Sequence, residues 1–195
     1  MQYEQAEHQK INFFSFLKLK QLLLIGSCLF LYWPYQAASL TLGTDHQARK
    51  INPVADLVFF ADPSLKLTLQ EIQSLPPKSF KPPHHVTGSS INFGFSQEAY
   101  WIRLDLERAP DAPSEWIIEI PYQGLDEIDF YAPNKLPVIT GASRSIESRS
   151  LYHRYFAFPV ELTTTSQSFY FRIRSFYSVT IPIQLIEKQS FIQKT

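Results

Sequence analysis

Residues 99–106, Ala-Tyr-Trp-Ile-Arg-Leu-Asp-Leu, repeat with the two-residue period of a strand. Tyr100, Ile102, Leu104 and Leu106 fall on one side and suit a core. Trp101, Arg103 and Asp105 fall on the other, where an indole, a guanidinium and a carboxylate suit a polar ligand. Similar segments recur at Val54–Phe60, from Ile91 onward, and at Leu125–Tyr131, Tyr155–Val160, Phe169–Arg174 and Val179–Leu185. Trp116–Ile120 is almost wholly apolar, which predicts a strand covered on both faces. Pro182 cannot donate to a ladder, so its strand is an edge or carries a bulge.

Thr68–Leu75 breaks the pattern and predicts one short helix. Thr68 is its N-cap, Glu71 stands at the capping-box position, and Pro76-Pro77 stops it. Residues 78–90 read as a loop containing Pro and His, and residues 134–149 as a long loop holding Gly141. Strands spaced at about 10–15 residues predict an all-β antiparallel sandwich.

Ahead of the strands lies an export-like leader. Lys10, Lys18 and Lys20 flank Gln21–Trp33, an uncharged run of about 13 residues, short of the roughly 20 that span a membrane. Ala37-Ala38-Ser39 offers a cleavage site. The reading is therefore a signal peptide or N-terminal anchor over 1–39, a linker over 40–50, and an exported domain over 51–195. Cys28, the one cysteine, falls in the leader, so the expected domain has no disulfide.

Charge narrows the function classes. Lys+Arg and Asp+Glu number 18 each, which argues against nucleic-acid binding. The 16 Phe and 10 Tyr against 6 Gly suit a β-rich core. No nucleophile elbow, phosphate loop, zinc-protease helix or dinucleotide fingerprint occurs, so no enzyme is expected. Asp105 and Glu119 could be drafted as glycosidase acids, as could any two acids, because that chemistry needs a geometry that sequence does not show.

Several segments together resemble a known family. They are Val58-Phe59-Phe60-Ala61-Asp62-Pro63, Asn92-Phe93-Gly94-Phe95 before Tyr100–Leu104, and Glu119-Ile120-Pro121-Tyr122 with Leu125–Tyr131. Gly141, Arg149, His153-Arg154, Phe158-Pro159-Val160 and Tyr170–Ser175 follow in order. Over residues 52–192 the chain resembles the second extracellular sensor-domain type (DISMED2) of bacterial seven-transmembrane receptors with diverse intracellular signalling modules. The resemblance implies a jelly-roll-like sandwich, similar to carbohydrate-binding modules, on the periplasmic face of the inner membrane. It implies a small polar ligand, carbohydrate first, and an output through a diguanylate cyclase or histidine kinase. It also implies membrane attachment through the leader or through helices after Thr195, and a homodimer within the receptor.

The expected ligand-binding residues are Trp101, Arg103, Tyr122, Arg149, Tyr152, His153, Arg154, Arg172 and Arg174. Each has a competing structural reading. Trp101 would fill a second core layer, and Arg103 would pair with Asp126 or Asp129. Arg172 and Arg174 would pair across strands with Glu119, Asp126 or Asp129. Arg149 and His153 would pin their loop to backbone carbonyls. No cofactor is expected; Asp126, Glu127 and Asp129 could contribute to a structural calcium by analogy with the fold, but their spacing lacks the Gly-turned acidic loop of an EF-hand. His84 and His85, adjacent in an extended loop, are expected to diverge and to hold no zinc. A module that docks a partner protein or the receptor's own helices is the alternative to ligand sensing.

Overall fold

In the computed structural model, which describes residues 39–46 and 50–193, the segment read first becomes the longest strand. In chain order the strands are β1 (Leu40–Leu42), β2 (Lys50–Ile51), β3 (Leu57–Asp62), β4 (Val86–Thr87), β5 (Ser90–Phe95), β6 (Ala99–Arg108) and β7 (Glu115–Ile120). They continue as β8 (Glu127–Tyr131), β9 (Val138–Thr140), β10 (Phe156–Glu161), β11 (Gln167–Arg174), β12 (Ser178–Pro182) and β13 (Gln184–Glu187). Helix α1 (Leu69–Ser74) follows β3, and helix α2 (Lys188–Ile192) follows β13. Among the described residues no helix is long and apolar enough to cross a membrane.

The strands form a sandwich. One layer has the order β1-β6-β11-β8-β9, with β3 also paired to β6. The other layer consists of a β10-β7-β13-β2 sheet and a β12-β5-β4 sheet. Ile183 joins β12 directly to β13, so one ribbon of chain serves both of these sheets. The core lies between the layers. Ile102, Leu104, Phe130 and Phe171 from the first meet Trp116, Ile118, Phe158 and Ile181 from the second.

Two layers of cover complete the molecule. On the outer face of the first sheet, Ile72 of α1 packs with Trp101 and Tyr170. On the outer face of the β7 sheet, Phe191 of α2 packs with Ile117, Ala157 and Ile186. Both faces of β7 are thus covered, as its apolar run predicts.

The capping box forms as its spacing predicts: the Thr68 N–H and hydroxyl donate to Glu71 Oε2, both at 2.7 Å, and Thr68 Oγ1 accepts from the Glu71 N–H. Pro182 sits on an edge strand, since β12 pairs with β5 alone. Other expectations need correction. The sandwich is not wholly antiparallel, because β1 runs parallel to β6. Residues 40–50 are not simply a linker: they supply β1 and the start of β2, and Leu42 is fully buried in the core. The 134–149 loop contains β9, and helix α2 was not expected. The leader proposed over 1–39 lies, but for Ser39, outside the described residues.

Candidate functional site

The outer face of β6 is not a ligand platform. Trp101 is fully buried beneath α1, and its ring stacks on Tyr131 at 5.6 Å. No ring face is left for a sugar, because the residues that follow β3 fold back over it. Trp101 therefore takes the second-core-layer reading. Among the described residues its buried indole N–H has no acceptor.

Arg103, Arg172 and Arg174 are neutralised where they stand. Arg103 pairs with Asp105, two residues along its own strand, through contacts of 3.0 and 2.9 Å. That replaces the expected partners Asp126 and Asp129; residues two apart share a strand face. Arg172 lies 3.4 Å from Asp129 and 3.7 Å from Glu127, and also donates to the Leu65 carbonyl. Arg174 lies 3.6 Å from Glu127 and stacks over Phe176. Burial raises the Asp129 carboxyl above its ordinary range, although the Arg172 charge pulls the other way. No open basic patch results.

The acids drafted for other roles are also engaged. Asp126 accepts hydrogen bonds from the Ser175 hydroxyl and the Phe176 N–H, holding the β11–β12 turn. Among the described residues no group of three His, Cys, Asp or Glu side chains is gathered as a metal would need. Asp105 is held by Arg103 and the Ser168 hydroxyl on the first sheet, and Glu119 accepts from Gln184 on the β7 sheet.

The loop before β10 takes the pinned reading. Arg149 donates to the carbonyls of His153 at 2.6 Å and Arg154 at 2.9 Å, and its guanidinium lies over Phe156. His153 Nδ1 accepts from the Tyr155 N–H and lies 3.7 Å from Glu119, while its ring rests on Phe191 of α2. Arg154 stacks over Tyr155. Tyr152 is 88% and Tyr122 37% exposed, and neither lines the cleft described next. None of the nine expected residues lines the cleft described next.

That cleft, of about 410 Å³, opens where the edge of β3 meets β5. Its floor is aromatic. Phe93 stacks on Tyr100 at 3.9 Å and receives an edge contact from Phe59 at 4.8 Å. A strap, Lys81-Pro82-Pro83-His84-His85, forms the opposite wall. At one end the Lys81 N–H donates to Phe59 O, and Lys81 O accepts from the Phe59 N–H. At the other, His85 O accepts from the Asn92 N–H at 2.9 Å. Two prolines fix φ between these clamps, so the strap is rigid. His84 and His85 do not diverge as expected: their rings meet edge to face at 4.7 Å, because the strap is held at both ends.

A bulge turns Phe93 into the cleft. Thr180 pairs with Asn92 and Val179 with Gly94, which leaves Phe93 as the extra residue of β5. Gly94 supports it with φ +69°, a conformation that glycine adopts without steric cost. Polar groups come from Ser79, Lys81, His84, His85 and Glu98. Tyr100 Oη donates to Ser96 Oγ and lies 3.4 Å from Glu98 Oε2, at the cleft rim. Burial raises the Tyr100 phenol above its ordinary value. Sequence reading missed this site because its members come from the end of a strand, a bulge, a turn and a loop. The one local signal is Pro82-Pro83-His84-His85, a stiff run with two imidazoles.

The sequence model of the family described as 7TMR-DISM extracellular 2 matches residues 55–187. The match runs through every element that forms the cleft. No curated protein matches the chain.

Proposed function

The chain belongs to the 7TMR-DISM extracellular 2 family, and we propose that the cleft beneath its Pro-rich strap is where it captures a small polar ligand. It is the extracellular sensor domain of a membrane receptor, on the periplasmic side of the bacterial inner membrane. The observation that carries the ligand reading is the cleft itself. It is preformed, walled by aromatic rings, supplied with a few convergent polar groups, and within the size range of small-molecule sites (about 300–1,000 Å³). Carbohydrates and other small polar molecules are the classes to test. Capture would shift the domain between two arrangements by the difference in affinity for them, and the output would pass to an intracellular diguanylate cyclase or histidine kinase. The domain's own role in this reading is non-catalytic.

A thermal-shift screen of the whole chain tests it. A ligand at about 100 times its Kd stabilises by about 2.7 kcal/mol. For a domain of this size that raises Tm by roughly 5–10 °C. Phe93→Ala should abolish the shift and Arg154→Ala should not. A second reading, docking of a protein partner, is favoured by one feature. Phe95, Phe176 and Tyr177 are 87%, 61% and 70% exposed, and pairing of Phe95 with Ser178 brings them to one tip. A blank screen, with loss of a partner on replacing those three residues by Ser, would favour docking.

A further inference from the structure

We infer, resting on the reading of the cleft as a ligand site, that its ligand is a zwitterion with an apolar side chain, an α-amino acid or short peptide. The cleft carries one cation and one carboxylate on different walls: Lys81 on the strap and Glu98 in the turn between β5 and β6. Among the described residues neither makes an ion pair. Arg103, Arg172 and Arg174 of the neighbouring sheet, by contrast, each face a carboxylate. A ligand with a single charge would satisfy one group and strip water from the other without compensation. A ligand carrying a carboxylate and an ammonium satisfies both. Lys81 and the two imidazoles face the carboxylate, and Glu98, held at the rim by Tyr100, faces the ammonium.

The floor fits the rest of such a ligand. Phe59, Phe93 and Tyr100 provide an apolar surface for a side chain, but their rings are packed on one another. A saccharide needs a ring presented flat, and the exposed flat ring once expected at Trp101 is buried.

Calorimetric titration of the whole chain tests the inference. The probes are L-leucine and L-phenylalanine with the other common α-amino acids, 4-methylpentanoate, isopentylamine and D-glucose. At least one amino acid should bind, and removing either charge from it should weaken binding by about tenfold or more. Lys81→Met should erase the preference for leucine over isopentylamine, and Glu98→Gln the preference for leucine over 4-methylpentanoate. Both side chains reach the surface, and comparing ligands within one variant separates a lost charge contact from a lost fold. Binding of D-glucose or a singly charged probe with the amino acids silent would overturn the zwitterion and leave ligand sensing intact. Silence from every probe, together with a blank in the wider screen, would overturn both.

Discussion

Phe59 and Lys81 exchange a pair of backbone hydrogen bonds, each 2.8 Å long, so the wall of the cleft is tied to the last strand of its floor. Lys81→Pro removes the donor to Phe59 O and should cost about 1–3 kcal/mol. Hydrogen exchange should speed up at the Phe59 and Asn92 amides, the two anchors of the strap. Unchanged protection at Phe59 would show that the strap is held by something else.

Trp101 fills the layer beneath α1, but among the described residues its N–H has no acceptor. Trp101→Ala should cost about 3–5 kcal/mol in chemical denaturation. Trp101→Phe should cost much less, since it removes a buried donor that has no partner along with part of the ring. Neither change should alter the affinity of a ligand held in the cleft. Equal losses from the two substitutions would contradict the unpartnered indole.

Asp62 ends β3 and organises the turn into α1. Its Oδ1 accepts from the Ser64 N–H at 3.0 Å and hydroxyl at 2.6 Å, and its Oδ2 from the Leu67 N–H at 3.1 Å. These hold Leu65 at φ +62°, a strained value for a non-glycine residue. Burial works to raise the Asp62 carboxyl, and the hydrogen bonds from Ser64 and Leu67 overcome it, leaving the group below its ordinary 3.8. As pH falls, the unfolded chain takes up this proton before the folded one does. The stabilisation is therefore full above about pH 4 and drains away as pH drops through the folded value. Asp62→Asn should destabilise the protein by about 1–3 kcal/mol near neutrality and flatten the acid limb of the stability curve. An acid limb of unchanged slope in the variant would count against this assignment.

Gly141 lies at φ +138°, where an added Cβ would come within 2.1 Å of the Asp126 carbonyl oxygen. That backbone cannot yield easily, because Asp126 O accepts from the Ser143 N–H and hydroxyl. Gly141→Ala should cost at least about 2–3 kcal/mol, visible as a lowered Tm. A neutral substitution would mean the turn can reposition.

The sandwich was legible because its signals are local. The alternation of β6, the apolar run of β7 and the Thr68–Glu71 spacing each report on neighbouring residues. Short pieces were not legible: β1, β2, β4 and β9 are two or three residues long and acquire their structure from a partner strand. Site placement failed for a related reason. Alternation correctly set Trp101 opposite the core, but whether that face meets water or a helix depends on where residues 63–80 fold. Phe93 reached the cleft through a bulge, which breaks the very period used to read the strand.

The ribbon formed by β12 and β13 spans Ser178 to Glu187, roughly 30 Å of extended chain. One end is bonded to the bulged strand whose Phe93 lines the cleft, and the other leads directly into α2. The strand that turns Phe93 into the cleft and the C-terminal helix are thus joined by one continuous run of chain that changes sheets at Ile183.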